Sequence, residues 1–148
     1  MGKRIVALVF VGAMMATAVP SVAGAGIRLH KIAYDPPGPD YQNKKSQLRA
    51  EYIVVKNTDN RRRQLRGWVI KDRAGHTYRF PRYRIPARGY VRVHTGSGRD
   101  NRGDLFWDRS RFVWDNDGDK ARLRNDGTTR DTCSYAGGES PNRPKICR

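Results

Sequence analysis

Short runs with apolar residues at every second position, each closed by a turn residue, dominate the chain after residue 25. Ile27-Arg28-Leu29-His30-Lys31-Ile32 alternates apolar with polar, as does Thr77-Tyr78-Arg79-Phe80, and Val91 and Val93 repeat the pattern within Tyr90-Val91-Arg92-Val93-His94. A period of two is the mark of a half-buried strand. Fifteen Gly and eight Pro punctuate the chain too often for a helix bundle, and no helix-period stretch is long enough to compete. An all-β fold follows, and 148 residues allow one such domain.

The strand candidates come at regular spacing. Asp35-Pro36-Pro37-Gly38-Pro39-Asp40 ends the first, and residues 35–49 read as a long exposed loop carrying Lys44, Lys45 and Arg49. Residues 51–57 form a β-branched run, followed by a basic turn through Thr58-Asp59-Asn60-Arg61-Arg62-Arg63. Residues 67–72 and 77–80 read as a hairpin about Arg73-Ala74-Gly75-His76. Pro81 and Pro86 bracket residues 82–85, and residues 90–94, 105–107, 112–114, 120–124 and 128–135 complete the set. About eight short antiparallel strands at this spacing suit a β-sandwich.

Residues 1–25 stand outside that domain. Lys3 and Arg4 precede an apolar stretch from Ile5 to Val19, and Ala23 and Ala25 supply small residues at a cleavage position after Ala25, the pattern of a secretory signal peptide. The competing reading, a membrane anchor, meets an apolar run shorter than the ~20 residues that span a bilayer. A lipid anchor needs a Cys just after the leader, and the cysteines are Cys133 and Cys147. A secreted, extracellular chain without a transmembrane segment in its mature form is the expectation, divided into a leader at 1–25, a domain at 26–135 and a polar tail at 136–148. In an oxidising compartment a single Cys pair reads as a disulfide, Cys133–Cys147, stapling that tail to the last strand.

The ordered set Glu51-Tyr52-Ile53-Val54-Val55-Lys56-Asn57, Gly67-Trp68-Val69-Ile70-Lys71-Asp72, Tyr78-Arg79-Phe80-Pro81, Val91 to Gly98, Asp104-Leu105-Phe106-Trp107, then Trp114 and Gly118 to Leu123 resembles the lamin tail domain. The likeness runs from about Ile27 to Tyr135. It implies an immunoglobulin-like β-sandwich, found at the C-terminus of nuclear lamins and in bacterial exported proteins, alone or beside surface-associated hydrolases. It carries no catalytic residues over, and implies an interaction module; DNA or chromatin binding has been proposed for some members. On this reading Trp68, Trp107 and Trp114 fill the space between two sheets, and Gly67, Gly89 and Gly118 serve turns.

Chemistry-bearing spacings are sparse. Cys-x-x-Cys, His-Glu-x-x-His, Gly-x-Ser-x-Gly and the P-loop pattern are absent from the sequence, and His30, His76 and His94 fall on separate elements. Asp115, Asp117 and Asp119 alternate as in a calcium loop, with Asp126 at the twelfth position. Lys120 occupies the sixth position, where such a loop needs Gly, so a solvated turn is the better reading. No cofactor is expected.

The distinctive property is charge. Lys and Arg number 30 against 14 Asp and Glu, a formal +16, of which only Lys3 and Arg4 belong to the leader, leaving +14 on residues 26–148. Arg61, Arg62, Arg63 and Arg66 crowd one turn; Arg79, Arg82, Arg84 and Arg88 form a second cluster; Arg99, Arg102, Arg109 and Arg111 form a third. Guanidinium forks match phosphate geometry, so nucleic acid and anionic cell-wall polymers are the expected partners, with a surface protein as a further one and a monomeric state. Tyr83 and Tyr90 lie among these arginines as candidate base-stacking rings. A secreted, non-catalytic binding module is the favoured class. Its rival is a small metal-dependent hydrolase or nuclease using Asp115, Asp117 and Asp119 with His94; a self-associating edge-strand protein is disfavoured by the even scatter of charge.

Overall fold

The computed structural model describes residues 26–39, 44–137 and 143–147. The expected leader and its cleavage position, and residues 138–142 of the expected tail, lie outside the described residues. Among the described residues, eleven strands and one short helix follow in the order β1 (Ile27–Ala33), α1 (Lys45–Ala50), β2 (Tyr52–Asn57), β3 (Arg63–Gln64), β4 (Val69–Lys71), β5 (Thr77–Arg79), β6 (Arg84–Ile85), β7 (Tyr90–His94), β8 (Asp104–Phe106), β9 (Gly118–Asn125), β10 (Thr128–Ala136) and β11 (Lys145–Ile146). Three of these, β3, β6 and β11, have only two residues each, which accounts for the difference from the eight expected.

Two sheets face one another. One has the order β11-β1-β2-β7-β8, the other β10-β9-β4-β5, and β3 with β6 forms a separate two-stranded ribbon. Alternation decides which side chains meet in between: Ile27, Leu29, Ile32, Ile53, Val55, Val91, Val93 and Leu105 from the first sheet pack against Ile70, Tyr78, Ala121, Leu123, Cys133 and Tyr135 from the second. Trp114, 2 % exposed, joins this core, whereas Trp68 and Trp107 pack against it half-buried. The result is the immunoglobulin-like β-sandwich expected from the sequence. Among the described residues no helix is long and apolar enough to cross a membrane.

Cys133 and Cys147 are bonded, with their Cα atoms 5.3 Å apart. The bond seats β11 beside β1, where Lys31 pairs with Ile146 and Cys147 donates its N–H to the His30 carbonyl at 2.9 Å. His30 itself is the extra residue of a β-bulge, because the register with β2 shifts between Leu29 and Lys31.

Three local expectations are corrected. Residues 45–50 belong to α1 instead of the expected open loop: good helix formers tuck Gln47 and Leu48 inward, and Glu51 closes the turn by donating its N–H to the Gln47 carbonyl at 3.0 Å. Residues 112–114 are irregular instead of a strand. The buried Glu51 carboxylate accepts the Val113 N–H at 2.8 Å and the Thr95 hydroxyl at 2.5 Å, which takes the donor a ladder would use. Third, β7 and β8 run parallel, so the sandwich is not wholly antiparallel. The connecting loop returns far enough to reverse the usual hairpin, and its Gly98 lies so close over Phe106 that an added Cβ would stand 2.4 Å from the ring. At the start of β9, Gly118 adopts φ +123 with the Tyr135 carbonyl 3.0 Å from where a Cβ would be, a position that favours glycine.

Candidate polyanion interface

The ribbon of β3 and β6 is what joins the first two arginine clusters. Arg63 lies opposite Ile85 and Gln64 opposite Arg84, and Leu65 donates its N–H to the Tyr83 carbonyl at 2.9 Å. Leu65 and Ile85 are fully buried, so alternation turns Gln64, Arg66 and Arg84 outward to solvent. Arg61, Arg62, Arg82 and Arg88 are likewise exposed on the flanking turns.

A buried amide holds those turns together. Asn57, 0 % exposed, donates from Nδ2 to the Arg61 carbonyl at 2.7 Å and to the Pro86 carbonyl at 2.8 Å, while its Oδ1 accepts the Asp59 N–H at 3.0 Å. Arg88, at φ 55, donates its backbone N–H to Asp59 and its Nε to Asn60 Oδ1 at 2.7 Å. The third cluster reaches the same end through Tyr83, whose hydroxyl donates to the Arg102 carbonyl at 2.5 Å. Burial, then the nearby Asp104, pushes the Tyr83 phenol up, which keeps it a donor.

Not every candidate joins. Arg79 stands on the outer face of the four-stranded sheet, across Val69 from Arg124. Arg109 and Arg111 line a separate depression of about 510 Å³ with Lys45, Leu48 and Asp108. Arg63 is paired with Asp59 at 3.2 Å. The guanidinium groups of Arg61, Arg62, Arg66, Arg82 and Arg84 have no carboxylate partner among the described residues.

The acidic candidates lie at the turn that leads into β9. Asp119 is buried, and its Oδ1 accepts the N–H groups of Arg73 and Lys120 at 3.0 and 2.6 Å. Asp115 Oδ1 accepts the Asp117 N–H at 2.9 Å. A depression of about 490 Å³ is lined by Asp115, Asp119, Trp114, Arg73 and His76, and His76 Nδ1 meets buried Asp72 at 2.5 Å. His94 is not brought to this turn; it sits on β7 against Asp104 Oδ1 at 2.9 Å. His30 is on β1, and among the described residues no group of three or more His, Cys, Asp or Glu is arranged to hold a metal ion.

Sequence reasoning missed three residues. Asn57 was legible only as the end of the run at residues 51–57, since nothing in a sequence says that its amide reaches a carbonyl 29 residues away. Tyr52 and Arg92 were hidden inside strand runs, although Lys56, four residues after Tyr52, and Tyr90, two before Arg92, share their faces.

Fold and site together define an immunoglobulin-like sandwich whose most distinctive surface is a stitched, basic loop end. Against models of known families, residues 20–137 match the Lamin Tail Domain, and the chain belongs to that family. A comparison with the curated proteins found no match.

Proposed function

We propose that this protein is a secreted, non-catalytic binding module that takes polyanions, nucleic acid or an anionic cell-wall polymer, at the loop end built on β3 and β6. Arg61, Arg62, Arg66, Arg82, Arg84 and Arg88 are the contact residues; Arg63 is partly neutralised by Asp59, and Arg79 belongs to another face. The observation that carries the reading is that five exposed guanidinium groups from two stretches are held on one ribbon and its flanking turns without carboxylate partners among the described residues. Phosphates satisfy such forks bidentately, and counterion release supplies the free energy. Export is supported by the leader pattern and the disulfide. The hydrolase reading draws less support, because Asp115 and Asp119 spend carboxylate oxygens on backbone N–H groups of their own neighbourhood.

Fluorescence anisotropy of labelled duplex DNA titrated with residues 26–148, over a salt series and with heparin and polyphosphate as competitors, tests it. Micromolar or tighter binding that weakens linearly in log salt, by ~0.9 per phosphate contacted, is the expected result. Absence of binding at low salt overturns it. Cleavage of the oligonucleotide that depends on added divalent metal would favour the hydrolase instead.

A further inference from the structure

The outer face of the five-stranded sheet carries its own pattern. The bulge at His30 sets the register so that three rows of side chains face outward: Arg28, Lys56 and Tyr90; then Lys31, Val54, Arg92 and Asp104; then Ala33, Tyr52, His94 and Phe106. Cations of the middle row lie near rings of the rows on either side. The Arg92 guanidinium carbon lies 5.9 Å from the centroids of both Tyr52 and Tyr90, and Lys31 Nζ lies 5.9 Å from that of Tyr52. His94 stacks on Phe106 at 5.0 Å.

Between them is a depression of about 220 Å³ lined by His30, Lys31, Val54, Tyr90 and Arg92. Val54 faces outward yet is only 2 % exposed, so it forms an apolar floor under a rim of cations and a ring. Tyr90 is 54 % exposed, an unusual position for a large aromatic side chain. Asp104 is the one carboxylate among these outward positions, and His94 and Arg92 already engage it.

We propose that this face binds single-stranded nucleic acid, one base stacking on Tyr90 over Val54 and the adjoining phosphates lying between Lys31 and Arg92, with Tyr52 as a second platform. An apolar floor beside an exposed ring takes a planar group; the flanking cations take its anionic tether. Duplex DNA keeps its bases inside the helix and offers no such group, so the face selects the unpaired strand. The proposal deepens the polyanion reading and rests on it for the remaining phosphates: Tyr90 follows directly on the Arg88 turn, and the Asn57 N–H donates to the Gly89 carbonyl at 2.8 Å, so the loop end runs onto this face without a break.

The test compares a labelled 15-nucleotide single strand, the matching duplex and heparin, each against the wild-type domain, Tyr90→Ala, Tyr90→Phe and an Arg61→Ala/Arg62→Ala/Arg84→Ala triple variant. The expected result is that the single strand binds tighter than the duplex, that Tyr90→Ala weakens the single strand about tenfold and leaves heparin unchanged, and that Tyr90→Phe restores it. The triple variant weakens all three ligands. Equal loss for every ligand in Tyr90→Ala, or no loss for the single strand, overturns the stacking site while leaving polyanion binding intact. Heparin and duplex that fail to bind the wild type overturn the broader reading. Tyr90 is exposed, and circular dichroism of its variants verifies the fold.

Discussion

The Tyr83 hydroxyl donates to the Arg102 main-chain carbonyl across 19 residues of sequence, tying the loop that leads into β8 to the ribbon of β3 and β6. One neutral hydrogen bond of this kind is worth about 1 kcal/mol, less where it is solvent-exposed. Tyr83→Phe therefore lowers stability by under ~1 kcal/mol in urea titration. Its larger effect is on local order, read as faster amide exchange at residues 99–103.

Asn57→Ala removes no charge and yet disables the basic end. It strips partners from the Arg61 and Pro86 carbonyls and the Asp59 N–H in a buried site. At ~1–3 kcal/mol for each unsatisfied buried group, partly relieved by water, a loss of about 3 kcal/mol is expected in urea unfolding. Heparin affinity, measured by anisotropy at a temperature where the variant is still folded, falls with it.

Arg61→Ala, Arg62→Ala and Arg84→Ala each remove one phosphate partner. The expected outcome is a uniform weakening across duplex sequences, with the slope of log affinity against log salt shallower by about 0.9 per arginine. Arg79→Ala, on the other sheet, leaves the slope unchanged, and the four variants titrated side by side distinguish a localised end from a diffuse field.

The pH dependence of the sheet face follows from His30. Burial, then Lys56 on β2 and Lys31 on β1, holds its imidazole below the usual histidine range. The unfolded chain takes up the proton first, so this contribution to stability is full above pH ~6.5 and is lost as the pH falls through that value. A phosphate seated between Lys31 and Arg92 reverses the local field and favours the imidazolium. Single-strand affinity accordingly rises as the pH drops from 7.5 to 6, and His30→Gln flattens the profile.

Reduction of Cys133–Cys147 opens a loop of about 15 residues, for which the chain-entropy relation gives roughly 3 kcal/mol of lost stability. Urea unfolding with and without dithiothreitol measures the difference, and the Cys133→Ser/Cys147→Ser variant reproduces the reduced value.

Strands were legible wherever a period of two ran for four residues or more, as at Ile27 to Ile32 and Tyr90 to His94, because burial of one face imposes that period directly. Two-residue strands such as Arg63–Gln64 and Arg84–Ile85 have no period to read, and their pairing depends on Asn57, a contact that sequence distance conceals. The parallel approach of β8 to β7 was hidden for the same reason: pairing sense is set by where a loop returns. Glu51 overrode the strand propensity of Phe112-Val113-Trp114 by capturing a backbone donor. Of the site, the crowding of arginines was visible in the chain, but the third cluster divides, Arg102 lying against Tyr83 and Arg109 with Arg111 beside Lys45, since loops of a sandwich emerge in different directions.

The edge of β1 away from β2 is covered by the two residues of β11, kept there by a covalent bond, and by the Asp131 carboxylate, which accepts the Leu29 N–H at 2.8 Å. An uncovered strand edge is a template on which another chain can add. Oxidation thus holds β11 on this edge, and pairing with a neighbouring chain is a hazard, beside unfolding, that the disulfide guards against.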